Sequence, residues 1–111
     1  MKKINIIKKN EDFKKILDQG KFIKNKYYII YYKDKEESYY RFGITVSKKV
    51  SNRAVVRNKL KRQVKSIIDN NKNNFSISKD YIIIVKKSCL EVKYQELEKE
   101  LINSLIKIKG D

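Results

Sequence analysis

Tyr39–Ile68 reads YYRFGITVSKKVSNRAVVRNKLKRQVKSII, a strand pattern that runs directly into a helix pattern. From Ser38 to Ile68 the chain has nine Lys or Arg and no Asp or Glu. A helix over Val55–Ile68 places five apolar side chains on one face: Val56, Leu60, Val64, Ile67 and Ile68. Polar and cationic side chains then follow the flank of that face, namely Arg57, Lys61 and Lys65, with Asn58 and Arg62 beside them. The segment therefore predicts a helix with one side for a core and one side for a polyanion.

The excess of positive charge extends over the whole chain. Its 111 residues include 28 Lys and Arg but 13 Asp and Glu, which gives a formal net charge of +15. A solvated helix face is the usual explanation of a charge run, but such a face normally mixes both signs. A field this positive favours polyanionic partners and salt-sensitive association, so we interpret the chain as a nucleic-acid binder. Its length suits a single domain over residues 1–111.

Several function classes are disfavoured by composition. The chain has no His and one cysteine, Cys89, which excludes an intramolecular disulfide and makes a zinc site unexpected. Without a His to activate it, Cys89 is expected to be a small semi-buried side chain rather than a nucleophile. The acidic clusters at 11–12 and 96–100 are interpreted as a helix first turn and a solvated helix face. No apolar run suits a membrane span or a signal peptide, so cytoplasmic localisation is expected.

Hydrophobic periodicity predicts three helices and four strands. The first helix is predicted from an N-cap at Asn10 to a stop at Gly20, and an apolar stripe from Tyr94 to Ile108 predicts the last helix. The predicted strands are Phe22–Ile23, Tyr27–Lys33, Tyr39–Ser47 and Tyr81–Val85.

The second and third of these strands are expected to pair as an antiparallel hairpin, and the chain from Ile44 to Ile84 is interpreted as a parallel crossover. The order α-β-β-β-α-β-α indicates a single α+β two-layer sandwich with one mainly antiparallel sheet.

The sequence also resembles a known family. Arg41–Lys49 (RFGITVSKK), then Arg53, then Arg57–Arg62 (RNKLKR) resembles the bacterial ribonuclease P protein subunit. That family has a strand ending in Ser/Ala-Lys-Lys, then a helix with an Arg-Asn-Arg motif followed by Lys-Arg. The segments KKNEDF (8–13) and DYIIIV (80–85) are similar too, so the resemblance covers essentially the whole chain. Lys59 departs from the motif at its third residue, because it keeps the charge of the family's Arg there but not its planar group.

The resemblance implies a protein that assists an RNA enzyme. Its partners would be the catalytic ribonuclease P RNA and precursor tRNA, with no membrane or protein partner implied. The RNA, with its Mg²⁺, would remove the 5′ leader from precursor tRNA. The protein would bind no cofactor through its side chains alone, and the isolated chain is expected to be inactive. The resemblance further implies a left-handed crossover around the basic helix, an exception to the usual right-handed rule.

Two RNA-binding surfaces follow from the resemblance. The first is the basic helix with its preceding loop, comprising Lys48, Lys49, Arg53, Arg57, Asn58, Lys59, Lys61, Arg62 and Lys65. The second is a leader cleft between the first helix and the sheet, comprising Phe13, Leu17 and Tyr31, with Arg57, Asn58, Lys61 and Lys65 along its flank. The residues alone favour a core position for Phe13 and Leu17, as is usual for an i, i+4 apolar pair. The resemblance instead favours half-exposed platforms at Phe13 and Tyr31.

Two alternative functions also use a basic helix. A non-enzymatic structural RNA binder, such as a small ribosomal protein, would use the same helix and is the main alternative. A helix-turn-helix DNA binder would need two adjacent helices, but here a strand precedes the basic one, which disfavours that class.

Overall fold

The structure, a computed structural model, describes residues 6–110 and has the predicted order of elements. The helices are α1 (Asn10–Gln19), α2 (Ala54–Asn70) and α3 (Tyr94–Lys109). The strands are β1 (Lys21–Lys24), β2 (Tyr28–Asp34), β3 (Arg41–Thr45) and β4 (Lys79–Val85). Short 3₁₀ turns at Lys72–Asn74 and Lys87–Glu91 flank β4. No helix within residues 6–110 is both long enough and apolar enough to cross a membrane.

The four strands form one sheet in the order β1-β2-β4-β3. Strands β1 and β2 pair antiparallel, as do β2 and β4, whereas β3 and β4 are parallel. The predicted parallel crossover, β3-α2-β4, is therefore confirmed, while its left hand stays a prediction. The single, mainly antiparallel sheet is confirmed as well.

The predicted hairpin between β2 and β3 is wrong, because β4 lies between these strands. Residues 35–40 therefore cross one strand and span two strand spacings, about 10 Å. Strand β4 takes the position between β2 and β3 because its apolar run can be buried on both faces of the sheet. The hairpin that does form joins β1 to β2. Its turn is held by Asn25, whose Oδ1 accepts hydrogen bonds from the N–H groups of Tyr27 and Tyr28 at 2.9 and 2.8 Å.

One face of the sheet carries the main core under α2 and α3. The periodicity predicted for both helices is confirmed, since their buried residues are Leu60, Val64, Ile67 and Ile68 in α2 and Leu97, Leu101, Ser104, Leu105 and Ile108 in α3. Strand residues on this face of the sheet pack against these helix residues. Among them, the rings of Phe42 and Tyr81 stack with centroids 4.5 Å apart. Phe75, in the connection before β4, is also buried here.

Helix α1 covers part of the opposite face over a smaller core. Ile16 is 1% exposed and packs with Ile7 and Ile82. The helix begins one residue earlier than predicted, because Asn10 lies in its first turn and Lys9 occupies the cap position without a side-chain cap. The predicted stop is confirmed, since the N–H of Gly20 donates to the carbonyl oxygen of Ile16 at 2.9 Å.

An ion-pair cluster fastens the N-terminal end of α1 to the sheet. Arg41 Nη1 lies 2.9 Å from Asp12 Oδ2, while its Nη2 lies 2.7 Å from Asp80 Oδ2. Lys35 Nζ adds a contact of 3.0 Å to Asp80 Oδ1. Burial alone would raise the pKa of Asp80, but the hydrogen bonds from Arg41 and Lys35 outweigh it and lower that pKa below its ordinary value.

Candidate nucleic-acid interface

The loop before α2 is built so that its cations face outward. Val46 and Val50 are buried and anchor the loop, which leaves Lys48 and Lys49 exposed between them. Arg57 Nη1 donates to the carbonyl oxygen of Ser51 at 3.0 Å, which ties the first turn of α2 back to the loop. Loop and helix therefore form one continuous surface.

The predicted basic-surface residues lie on the side of α2 and its loop that faces away from the core. Seven are exposed: Lys48, Lys49, Arg53, Asn58, Lys59, Arg62 and Lys65. The other two, Arg57 and Lys61, are half-buried beside the apolar stripe. Within residues 6–110, the ion pairs of the structure involve none of these nine side chains. We call these nine residues the basic surface.

Arg41 comes from the same acid-free stretch but serves a different purpose. Its guanidinium is held by Asp12 and Asp80 on the α1 face of the sheet. The hydrogen bonds that Arg41 donates to Asp80 raise its already high pKa despite partial burial. This side chain contributes to structure rather than to the basic surface.

The second candidate region is a row of residues across the four strands. The register aligns Phe22, Tyr31, Ile82 and Gly43, which we call the sheet row. The ring of Phe13 lies directly on Gly43, where a Cβ atom would overlap it. Ile82 is buried, while Phe13 and Tyr31 are half-buried at its margins.

These positions decide between the two expectations for α1. Ile16 is the helix residue that enters the core, and Leu17 is 42% exposed, so a core position for Leu17 is wrong. Ile16 and Leu17 are adjacent in sequence, but the rotation of the helix from one residue to the next points Ile16 into the core and Leu17 toward solvent. The half-exposed positions of Phe13 and Tyr31 agree with the resemblance.

The two regions lie on opposite faces of the sheet. Among residues 6–110, no hydrogen bond, ion pair or ring contact joins the basic surface to Phe13, Leu17 or Tyr31. The placement of Arg57, Asn58, Lys61 and Lys65 along the flank of the cleft stays a prediction.

Phe22, which was not among the predicted residues, lies on the same face as Tyr31. It is 57% exposed on β1, and its ring centroid lies 5.3 Å from that of Tyr31 with a tilt of 36°. The signal was available in the β1–β2 hairpin, because a turn at Asn25 places Phe22 opposite Tyr31.

The described residues offer little for protein-borne catalysis. Cys89 is buried, its thiol donates to the carbonyl oxygen of Tyr27 at 3.3 Å, and burial raises its pKa to about 11. At neutral pH this cysteine is a thiol, not a thiolate nucleophile. No group of three or more His, Cys, Asp or Glu within residues 6–110 is placed to hold a metal ion.

Comparison with known proteins identifies the family. A family model described as Ribonuclease P matches residues 1–109. The chain is 50% identical over 110 residues to the "Ribonuclease P protein component" of Mycoplasma capricolum, covering 98% of this chain and 100% of that protein. It belongs to the ribonuclease P protein family. Its counterpart in Bacillus cereus strain AH187 is 43% identical over 104 residues, with 93% and 90% of the two chains covered.

Solved ribonuclease P proteins have the same fold. The Staphylococcus aureus protein superposes with a TM-score of 0.86 at 31% identity and covers 96% of this chain and 97% of its own. The Thermotoga maritima protein gives 0.85 at 29% identity, with 93% and 96% covered. The family's role is RNA binding in tRNA 5′ processing, as the protein component of an endoribonuclease whose chemistry is carried by RNA. The alternative function, that of a structural RNA binder such as a small ribosomal protein, is not favoured.

Proposed function

We propose that this ribonuclease P protein binds the catalytic RNA through its basic surface and the 5′ leader of precursor tRNA through Phe13, Leu17 and Tyr31. The observation that carries the proposal is the contrast between α2 and Arg41. Cations of α2 face outward without acidic partners among residues 6–110, whereas Arg41 is satisfied within the fold. Unpaired cations in a continuous line suit a phosphate backbone.

The basic surface provides two kinds of contact. Lys48, Lys49 and Lys59 supply compact charges for phosphates. Arg53 and Arg62 add planar donors that contact a phosphate with two hydrogen bonds. Asn58, beside them, has the donor and acceptor needed to contact a ribose or a base edge.

The leader is proposed to lie on the α1 face of the sheet. Unpaired bases are normally held by stacking on aromatic rings, and each stacked base contributes about 1–3 kcal/mol. Phe13 and Tyr31 stand on either side of buried Ile82 with part of each ring accessible. Leu17 offers an apolar contact that is weaker than a ring.

Catalysis is proposed to remain with the RNA. Mg²⁺ in the RNA active site supplies the Lewis acid and the activated water for phosphodiester cleavage. The protein's own part is to bind and orient its RNA partners in the cytoplasm.

Reconstitution tests this function directly. The protein is added to a bacterial ribonuclease P RNA at low Mg²⁺, and cleavage of precursor tRNA is followed at the 5′ end. Cleavage should depend on both components, and the protein without RNA should be inert. A basic ribosomal protein at the same concentration is the control. Equal rescue by that control, or no rescue by this chain, would contradict the proposal.

A further inference from the structure

We propose that Phe22 and Tyr31 form a second subsite, at the β1 edge of the sheet, that stacks an unpaired nucleobase of the leader. The inference rests on the proposed function, because it assumes that a single-stranded RNA follows the α1 face. It extends that face by one ring beyond the predicted residues Phe13, Leu17 and Tyr31.

The register of the sheet places Phe22 in line with the cleft. Phe22 pairs with Tyr31, and Tyr31 pairs with Ile82, so the three side chains project from the same face. The rings of Phe22 and Tyr31 have centroids 5.3 Å apart, which is contact distance for an aromatic pair. One apolar path therefore leads from Phe13 across the sheet to its outer edge.

Exposure makes the Phe22 ring available as a platform. A single exposed apolar residue needs no explanation, but Phe22 is 57% exposed and adjoins a half-buried ring on the same face. An exposed ring face is what an unpaired base requires, because every base has a π surface to stack on it. Lys24, two residues later, projects from the same face of β1 and is exposed. Its ammonium group can therefore contact the phosphate next to the stacked base.

A second copy of the chain is a poorer occupant of this edge. An exposed apolar edge strand can pair with another chain, but β1 is four residues long and has Lys at both ends. Each copy also carries a net charge of +15, which opposes association without an intervening polyanion. A single-stranded RNA satisfies both the rings and the charge.

The test uses the reconstituted holoenzyme and precursor tRNAs with one abasic nucleotide at successive leader positions. Affinity is measured for the parent and for Phe22→Ala. The variant should bind the intact precursor about five- to tenfold more weakly, the lower part of the range for a lost base stack. One abasic position should weaken the parent but have no further effect on Phe22→Ala, because that base has already lost its platform.

Matched variants separate stacking from general disturbance. Phe22→Tyr keeps a ring and should retain the parent profile, whereas Phe22→Leu keeps apolar bulk and should behave like Phe22→Ala. Tyr39→Ala removes another ring that is 54% exposed, and it should leave the leader profile unchanged. Thermal melts should show little change for the Phe22 variants, because most of the ring is outside the core.

Three results would overturn the subsite alone. The first is a Phe22→Ala variant that matches the parent at every leader position, and the second is an equal loss of affinity for precursor and mature tRNA. The third is a dimer of the parent, seen by sedimentation, that Phe22→Ala dissolves, which would assign the edge to a second copy. If the parent itself binds precursor and mature tRNA equally, the proposed leader recognition is contradicted, and the subsite that depends on it is contradicted as well.

Discussion

Helices α2 and α3 pack on the same face of the sheet but present different surfaces. Both have an apolar stripe, and both contribute buried residues to the main core. The polar side of α3 mixes Glu96, Glu98 and Glu100 with Lys99, Lys107 and Lys109, whereas the polar side of α2 is cationic until Asp69. The C-terminal end of α2 contacts the N-terminal half of α3, since Asn71 Nδ2 donates to Glu98 Oε2 at 3.3 Å.

The difference between α2 and α3 shows that packing and partner binding are encoded by different residues of one helix. The stripe alone suffices to place a helix on the sheet, so α3 needs no cationic side. The cations of α2 then have no explanation in packing, and they oppose folding by mutual repulsion unless a polyanion is bound. Helix α3 is therefore the natural control for every charge experiment on α2.

The largest expected effect is that of reversing charge on α2. Arg57→Glu with Lys61→Glu should weaken binding to ribonuclease P RNA by about 100-fold near 0.1 M salt. If about five phosphates are neutralised by the parent, its log–log salt slope is roughly −4, and the variant slope should be roughly −2. Affinity measured across a monovalent salt series checks both values.

The matched control makes the same change of net charge on α3. Lys99→Glu with Lys107→Glu should leave the slope near that of the parent, because these side chains belong to a helix whose polar side also carries Glu96, Glu98 and Glu100. Equal losses from both helices would mean that total charge, rather than the α2 surface, drives binding.

The next effect separates Arg41 from the cations of α2. Arg41→Met removes the main partner of Asp80, whose side chain is 10% exposed, and should destabilise the fold by about 2 kcal/mol. This value is below that of a fully buried pair, because the Arg41 side chain is 27% exposed. Urea unfolding measures it. Arg62→Met, on the exposed side of α2, should change stability by no more than about 0.5 kcal/mol.

The rings of the α1 face should affect precursor tRNA selectively. Phe13→Ala and Tyr31→Ala should each weaken holoenzyme affinity for precursor tRNA by about 1–2 kcal/mol, while mature tRNA and ribonuclease P RNA are bound as by the parent. Tyr94→Ala is the control, because it removes a half-buried ring from α3. Loss of all RNA binding together with early melting would show that the two rings serve only the core.

Acid should weaken the ion-pair cluster of Arg41 and Asp80 that fastens α1 to the sheet. The pKa of Asp80 is lower in the folded chain than in the unfolded one, so near pH 4 the unfolded state binds more protons. Stability is full above the unfolded pKa of about 3.9 and falls as pH drops through the folded pKa. Urea unfolding at pH 5 and pH 3 should show a smaller loss for Arg41→Met than for the parent. Equal losses would assign the acid sensitivity to other groups.

The sequence predicted what depends on local periodicity. The stripe of α2 and the apolar run of β4 are patterns within single elements, and both are confirmed. The β2–β3 hairpin failed because adjacency in sequence does not reveal that a later strand will enter between two earlier ones. Leu17 was misjudged because its exposure depends on the rotation of α1, which a single i, i+4 apolar pair does not specify. The place of Phe22 opposite Tyr31 follows from the turn at Asn25 and not from the residues of β1 themselves.

The smallest expected effect concerns Lys59, where this chain departs from the Arg-Asn-Arg motif. Lys59 is exposed on α2 and has the charge of the expected Arg without its planar fork. Lys59→Arg should strengthen binding to ribonuclease P RNA by about two- to fivefold if a phosphate there accepts two parallel hydrogen bonds. The salt slope should stay unchanged, because the number of cations is the same. Lys99→Arg on α3 is the matched control and should have no effect. A gain from both substitutions would indicate general Arg affinity, whereas no gain at position 59 would mean that this site contacts RNA only through its charge.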